Sequence, residues 1–144
     1  MSFKNIKANQ GFTIVELLIV VVVIAILAAI TIVSYNGITS QANTSSAKST
    51  AASVQKKIEL HYAEKSTWPT KANLIATADS SKPYYIPSAT LKVASSLDAD
   101  NGKDTVRITT CTGGIRVEYY NFDTKAIESV NAGNPTACGT TYWT

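Results

Sequence analysis

The sequence predicts an α+β protein, with a long N-terminal α-helix, its first half transmembrane, packed against a small antiparallel β-sheet of three to four strands. Three observations predict it. An unbroken apolar run fills residues 12–33. A weaker stripe at helical spacing follows, formed by Ala47, Ala51, Val54, Ile58 and Tyr62. The last third of the chain then switches to period-two alternation, clearest at Ile115, Val117 and Tyr119.

Whole-chain averages hide this layout. Of 144 residues, 45% are hydrophobic and 16% charged, but the strongly apolar content is concentrated near the N-terminus. The remainder is rich in Ser, Thr, Ala and Asn, leaving about 110 residues to build one small soluble domain. The net charge of +3 is dispersed over single lysines, apart from Lys56-Lys57, and two arginines, Arg107 and Arg116. A basic stripe with interleaved aromatics is missing, which excludes nucleic acid as a main partner.

Residues 1–11 carry Lys4 and Lys7 and no acid. The apolar run after them contains only three polar residues, Thr13, Glu16 and Thr31. As a helix it spans roughly 33 Å, close to the ~30 Å hydrocarbon core of a bilayer. Being apolar all round, it has no amphipathic face to lay on a soluble core. The leader lysines place the N-terminus in the cytoplasm and the C-terminal domain outside. A secretory signal has the same basic start, but this run exceeds an ordinary h-region and lacks an A-x-A site at its far end. It also contains Glu16, a charge that costs about 2.5–3.5 kcal/mol to insert at a helix centre. An acid in a membrane span is a functional-site candidate that needs a partner. No basic residue follows closely enough. Cleavage between Gly11 and Phe12 would create an α-amine four residues from Glu16, able to pair within a chain or between neighbouring chains. Pairing between chains would make Glu16 a register device for assembly.

Gly11-Phe12-Thr13-Ile14-Val15-Glu16-Leu17-Leu18 resembles the processing site of type IV prepilins and of the related pseudopilins of secretion systems. The resemblance covers about a quarter of the chain. It implies that a membrane-embedded prepilin peptidase cuts after Gly11 and methylates the new N-terminal Phe12, and that Glu16 is the assembly acid. It further implies a homo-oligomeric helical filament, pilus assembly machinery in the membrane, and lipid around the helix before assembly. Many family members carry a proline within the hydrophobic segment; here none occurs between Phe12 and Trp68. Any local melting of the helix would fall instead on Asn36-Gly37, a helix-breaking pair.

Beyond Gly37 the helix is expected to continue to about Glu64, with Lys48, Gln55, Lys56 and Glu59 on the solvent face. Thr67-Trp68-Pro69-Thr70 ends it, since Pro disfavours the α conformation in the preceding residue. Trp68 is read as a packing residue, and Thr70 as the cap of a short helix through Ala78. Pro83 and Pro87 bracket a turn-rich segment, and residues 88–97 offer an early strand. Val106 to Cys111 forms the next strand candidate, and Thr112-Gly113-Gly114 a turn after it. Ile115 to Phe122 alternates, Asp123-Thr124 turns, and Lys125 to Val130 completes a meander over the second half of the helix.

Cys111 and Cys138 are the chain's cysteines. With one histidine, His61, they match no zinc spacing. In an exported domain a disulfide is the natural reading, worth about 2–4 kcal/mol, against two free buried thiols. In type IV pilins the C-terminal disulfide bounds a loop that is often exposed, which implies variable surface contacts between the two cysteines. Asp98, Asp100 and Asp104 surround Asn101-Gly102 but lack the terminal glutamate of a calcium loop, so a solvated loop is preferred and no metal or other cofactor is assigned. Asn43-Thr44-Ser45 formally matches a glycosylation acceptor, at the low specificity of a three-residue motif. His61 is read as structural, and no P-loop, G-x-S-x-G or carboxylate cluster recommends an enzyme.

The expected organisation is thus a leader at 1–11, a transmembrane and polymerisation helix at 12–35, its soluble half at 36–64, and a head at 65–144. The leading function is a pilin serving adhesion, motility or DNA uptake. It would lie in the cytoplasmic membrane as a single-pass precursor and outside the cell in the assembled pilus. The alternatives are a pseudopilin of a type II-like secretion system and a membrane-anchored binding domain that never polymerises.

Overall fold

A computed structural model describes residues 11–144, apart from the side chains of residues 33–36; residues 1–10, with the leader lysines, lie outside the described residues. The chain divides into two compact units, Met1–Gly37 and Ile38–Thr144.

Helix α1 runs from Ile14 to Lys65, and its assignment continues through Asn36-Gly37. In the second unit, Ala47, Ala51, Val54 and Ile58 are buried, as their spacing requires. The stripe ends on His61 instead of the expected Tyr62: His61 is 5% exposed and Tyr62 41%. At about 3.6 residues per turn, positions 61 and 62 lie about equally far on either side of the axis of that stripe, so spacing alone does not choose between them. Ser66, with φ +56, turns the chain out of the helix, and its N–H still bonds the Tyr62 carbonyl at 2.7 Å. Pro69 follows, and a short helix, α2 (Lys71–Ile75), starts at Thr70, whose N–H is accepted by the Asn73 side chain. A separate 3-10 turn at Thr77–Asp79 replaces the expected continuation of that helix.

The sheet has two strands, not three to four: β1 (Arg107–Asn121) and β2 (Ala126–Tyr142), paired antiparallel. The expected turn at Thr112-Gly113-Gly114 is a kink inside one long strand. Register shifts fall between Thr109 and Gly114, with Gly113 (φ +79) among them, and a second positive-φ glycine, Gly133 (φ +74), is the register partner of Gly114. A positive-φ glycine serves a β-bulge as readily as a chain reversal, and here the paired strand holds it as a bulge. Residues 88–97 contribute only a bridge between Val93 and Val106. The turn at Asp123-Thr124 forms as expected, with the Asn121 side-chain oxygen accepting both of their N–H groups.

Strand β1 supplies the inner face of the core. Ile108, Ile115, Val117 and Tyr119 pack with the buried stripe of α1, and Leu74, Tyr84, Ile86 and Leu91 complete the cluster from the connecting segment. Most of β2 is exposed.

Candidate functional site

The residues singled out in the sequence fall in two places. The first is the start of α1. Gly11, Phe12 and Thr13 are non-helical and exposed, Phe12 at 91%. Helical pairing begins with the Leu17 N–H on the Thr13 carbonyl. Glu16 sits in the first turn, where a carboxylate complements the N-terminal end of the helix dipole. Its Oε2 accepts both the Thr13 N–H and the Thr13 hydroxyl at 2.8 Å, while the Thr13 Oγ1 accepts the Glu16 N–H at 3.2 Å. This reciprocal arrangement is a capping box. The sequence reading missed it, although Thr-x-x-Glu ahead of an apolar run is its signature. The box gives Glu16 a local partner that exists before any cleavage creates an amine.

Beyond the cap, the apolar side chains of residues 14–32 point into open space, from Val22 at 47% exposure to Ile14 at 84%. The helix is long and apolar enough to cross a membrane. Among the described residues of its own unit nothing buries it.

The second place is the hairpin. Cys111 and Cys138 form a disulfide, and the same two residues are partners in the β1–β2 register. The bridge therefore staples a hairpin instead of bounding an exposed loop. Of the stretch it encloses, the β1 half is core and the β2 half carries the exposed surface.

The remaining candidates are structural. Trp68 stacks on Tyr62 with 4.1 Å between ring centroids and lies over Gly133, where a Cβ would collide with its ring. The Nδ1 of His61 is 3.1 Å from the Thr67 carbonyl, and its ring meets Tyr84 edge-on. Asp98 accepts the N–H groups of Asp100 and Asn101, and Asp104 pairs with Lys92. Among the described residues no group of three or more His, Cys, Asp or Glu is placed to hold a metal. The Thr44 hydroxyl of the glycosylation triplet is engaged with the hairpin turn.

A family model for the prokaryotic N-terminal methylation motif matches residues 6–32. The chain therefore carries a prokaryotic N-terminal methylation motif. Two fimbrial proteins are similar to this chain over a longer stretch. Fimbrial protein EcpC of Eikenella corrodens is 28% identical over 88 residues, 61% of this chain and 58% of that protein. A fimbrial protein of Neisseria meningitidis serogroup B is 33% identical over 87 residues, 58% of this chain and 51% of that protein. The chain thus matches little more than half the length of each relative. No solved structure matches.

Proposed function

We propose that this pilin-like chain is the precursor of a type IV pilus subunit. In this reading a prepilin peptidase removes residues 1–11 by cutting after Gly11 and methylates Phe12. Residues 12–35 hold the precursor in the cytoplasmic membrane, with the N-terminus inside, and later form the polymerisation helix. Residues 36–64 join that helix to the head at 65–144. The single observation that carries the proposal is an apolar helix, exposed throughout residues 14–32, that begins beside Gly11-Phe12 and holds one acid in its first turn. Such a surface is tolerable in lipid and in a bundle of like helices, and in little else. The fimbrial relatives favour a pilus over a secretion-system pseudopilus, with adhesion, motility or DNA uptake as the roles such a filament would serve.

Glu16 is the assembly acid in this scheme. Thr13 occupies Oε2, and the α-amine of a neighbouring processed chain is the added partner. Mass spectrometry of the mature N-terminus tests processing: a methylated Phe12 is expected, and an intact Met1 or a cut near Thr31 would overturn it. Glu16→Ala should leave the chain in the membrane but cut filament yield at least about ten-fold, the effect of losing roughly 1.4 kcal/mol per contact. Filaments at wild-type yield would refute the pairing role.

A further inference from the structure

One polar cluster in the head is not explained by core packing alone. It joins α1 to the β1–β2 turn, two places nearly eighty residues apart in sequence. The Thr44 hydroxyl accepts the Phe122 N–H at 2.9 Å and donates to the Asn121 Oδ1 at 3.3 Å. The Asn121 Nδ2 donates to the Glu128 Oε1 at 2.6 Å, and the Tyr119 hydroxyl donates to the Glu128 Oε2 at 2.7 Å. Both carboxylate oxygens of Glu128 are therefore occupied. Asn121 and Tyr119 are buried, so neither can exchange its partner for water without movement.

The position of this cluster along α1 matters. The first buried apolar side chain of the helix in this unit is Ala47, and Ile38 is exposed. Thr44 lies one turn before Ala47. The hydroxyl thus attaches the helix to the head one turn before its first buried apolar side chain.

We propose that the Thr44–Asn121–Glu128–Tyr119 chain of hydrogen bonds is an acid-sensitive latch that sets how much of α1 the head holds. Closed, it fixes the helix from Thr44 onward; open, the hold begins at Ala47 and the turn before it is released. The groups facing Glu128 are Lys48 from α1 and Tyr119 and Asn121 from β1. The hydrogen bonds from Tyr119 and Asn121 hold the Glu128 carboxyl below the usual carboxylate range, with Lys48 adding a smaller effect. A group with a lowered folded pKa contributes fully above its unfolded value, and that contribution is lost as pH falls through the folded one. Acid is therefore the direction that opens the latch. The device needs no filament, so it stands apart from the pilin reading.

Amide hydrogen exchange on the detergent-solubilised full chain tests it. Thr44→Val, which keeps the shape and removes the hydroxyl, should speed exchange of amides 40–47 about five- to thirty-fold. Amides 115–119 in the core strand should stay as in the wild type, and Thr44→Ser should restore protection. Lowering the pH from about 7 to about 3 should release the same helix turn after correction for intrinsic exchange, and Glu128→Gln should remove that pH dependence. Equal exchange in Thr44→Val and wild type would overturn the latch. So would loss of protection spreading to 115–119, or an unchanged pH profile in Glu128→Gln.

Discussion

The two parts of α1 share one backbone conformation but meet opposite environments. Residues 14–32 are almost wholly apolar and are exposed along their length. Residues 47–61 are mostly polar or small, yet Ala51 and Ile58 are fully buried, with Ala47, Val54 and His61 nearly so. Hydrophobicity alone therefore does not make a core. A core needs a second surface of matching pattern, and the chain supplies one for the second part, from β1 and the connecting segment. Among the described residues of its own unit, nothing covers the first part.

The contrast can be broken most strongly with paired truncations. Ile58→Ala removes a side chain that is 0% exposed and should lower head stability by about 2–5 kcal/mol. Ile24→Ala removes one that is 58% exposed in the first unit, and should leave the head's unfolding midpoint unchanged. Urea unfolding in detergent, followed by the fluorescence of Trp68 and Trp143, reads both. An equal shift for the two variants would erase the distinction.

Next in size is the disulfide. Its reduction, or the double variant Cys111→Ser with Cys138→Ser, should cost the head about 2–4 kcal/mol, with no change in membrane extraction of the helix. The same fluorescence measurement with and without reductant checks this.

The smallest effect concerns pH. Lys82 holds the Glu64 carboxyl below the usual range through a 2.6 Å bond, and Tyr119 and Asn121 do the same for Glu128. Both contributions are present above ordinary carboxylate values and vanish as pH falls through the lowered ones, so head stability should decline on the acid side. On the alkaline side, burial and then Glu128 push the Tyr119 hydroxyl up to about 12, so its contribution is fully present below the ordinary tyrosine value of 10.0 and is lost as pH rises from there to the raised one. A stability profile from pH titration of the unfolding midpoint should show both flanks for the head.

Legibility in the sequence followed the range of the interactions involved. The start of α1, its stop near Pro69, the buried face of its second half and the inward set Ile115, Val117 and Tyr119 all follow from residues close in sequence. Gly11, Phe12 and Glu16 became candidates for the same reason, since charge, small residue, aromatic and acid lie within one short stretch. The Thr13–Glu16 cap was equally local and was simply passed over. The strand count was not legible. Gly113-Gly114 satisfies the rules of a turn and of a bulge alike, and only pairing with residues 132–136 selects the bulge. The second half of β2 has no apolar alternation to announce it.

The sequence by itself determined the apolar helix, its cap, its embedded acid and the inward face of β1, because period and adjacency are fixed before the chain folds. Only the tertiary structure decided that the two cysteines meet as cross-strand partners, that His61 takes the place expected of Tyr62, and that Thr44 reaches the hairpin turn. Each of those depends on surfaces far apart in sequence coming into register, and no local pattern encodes that distance.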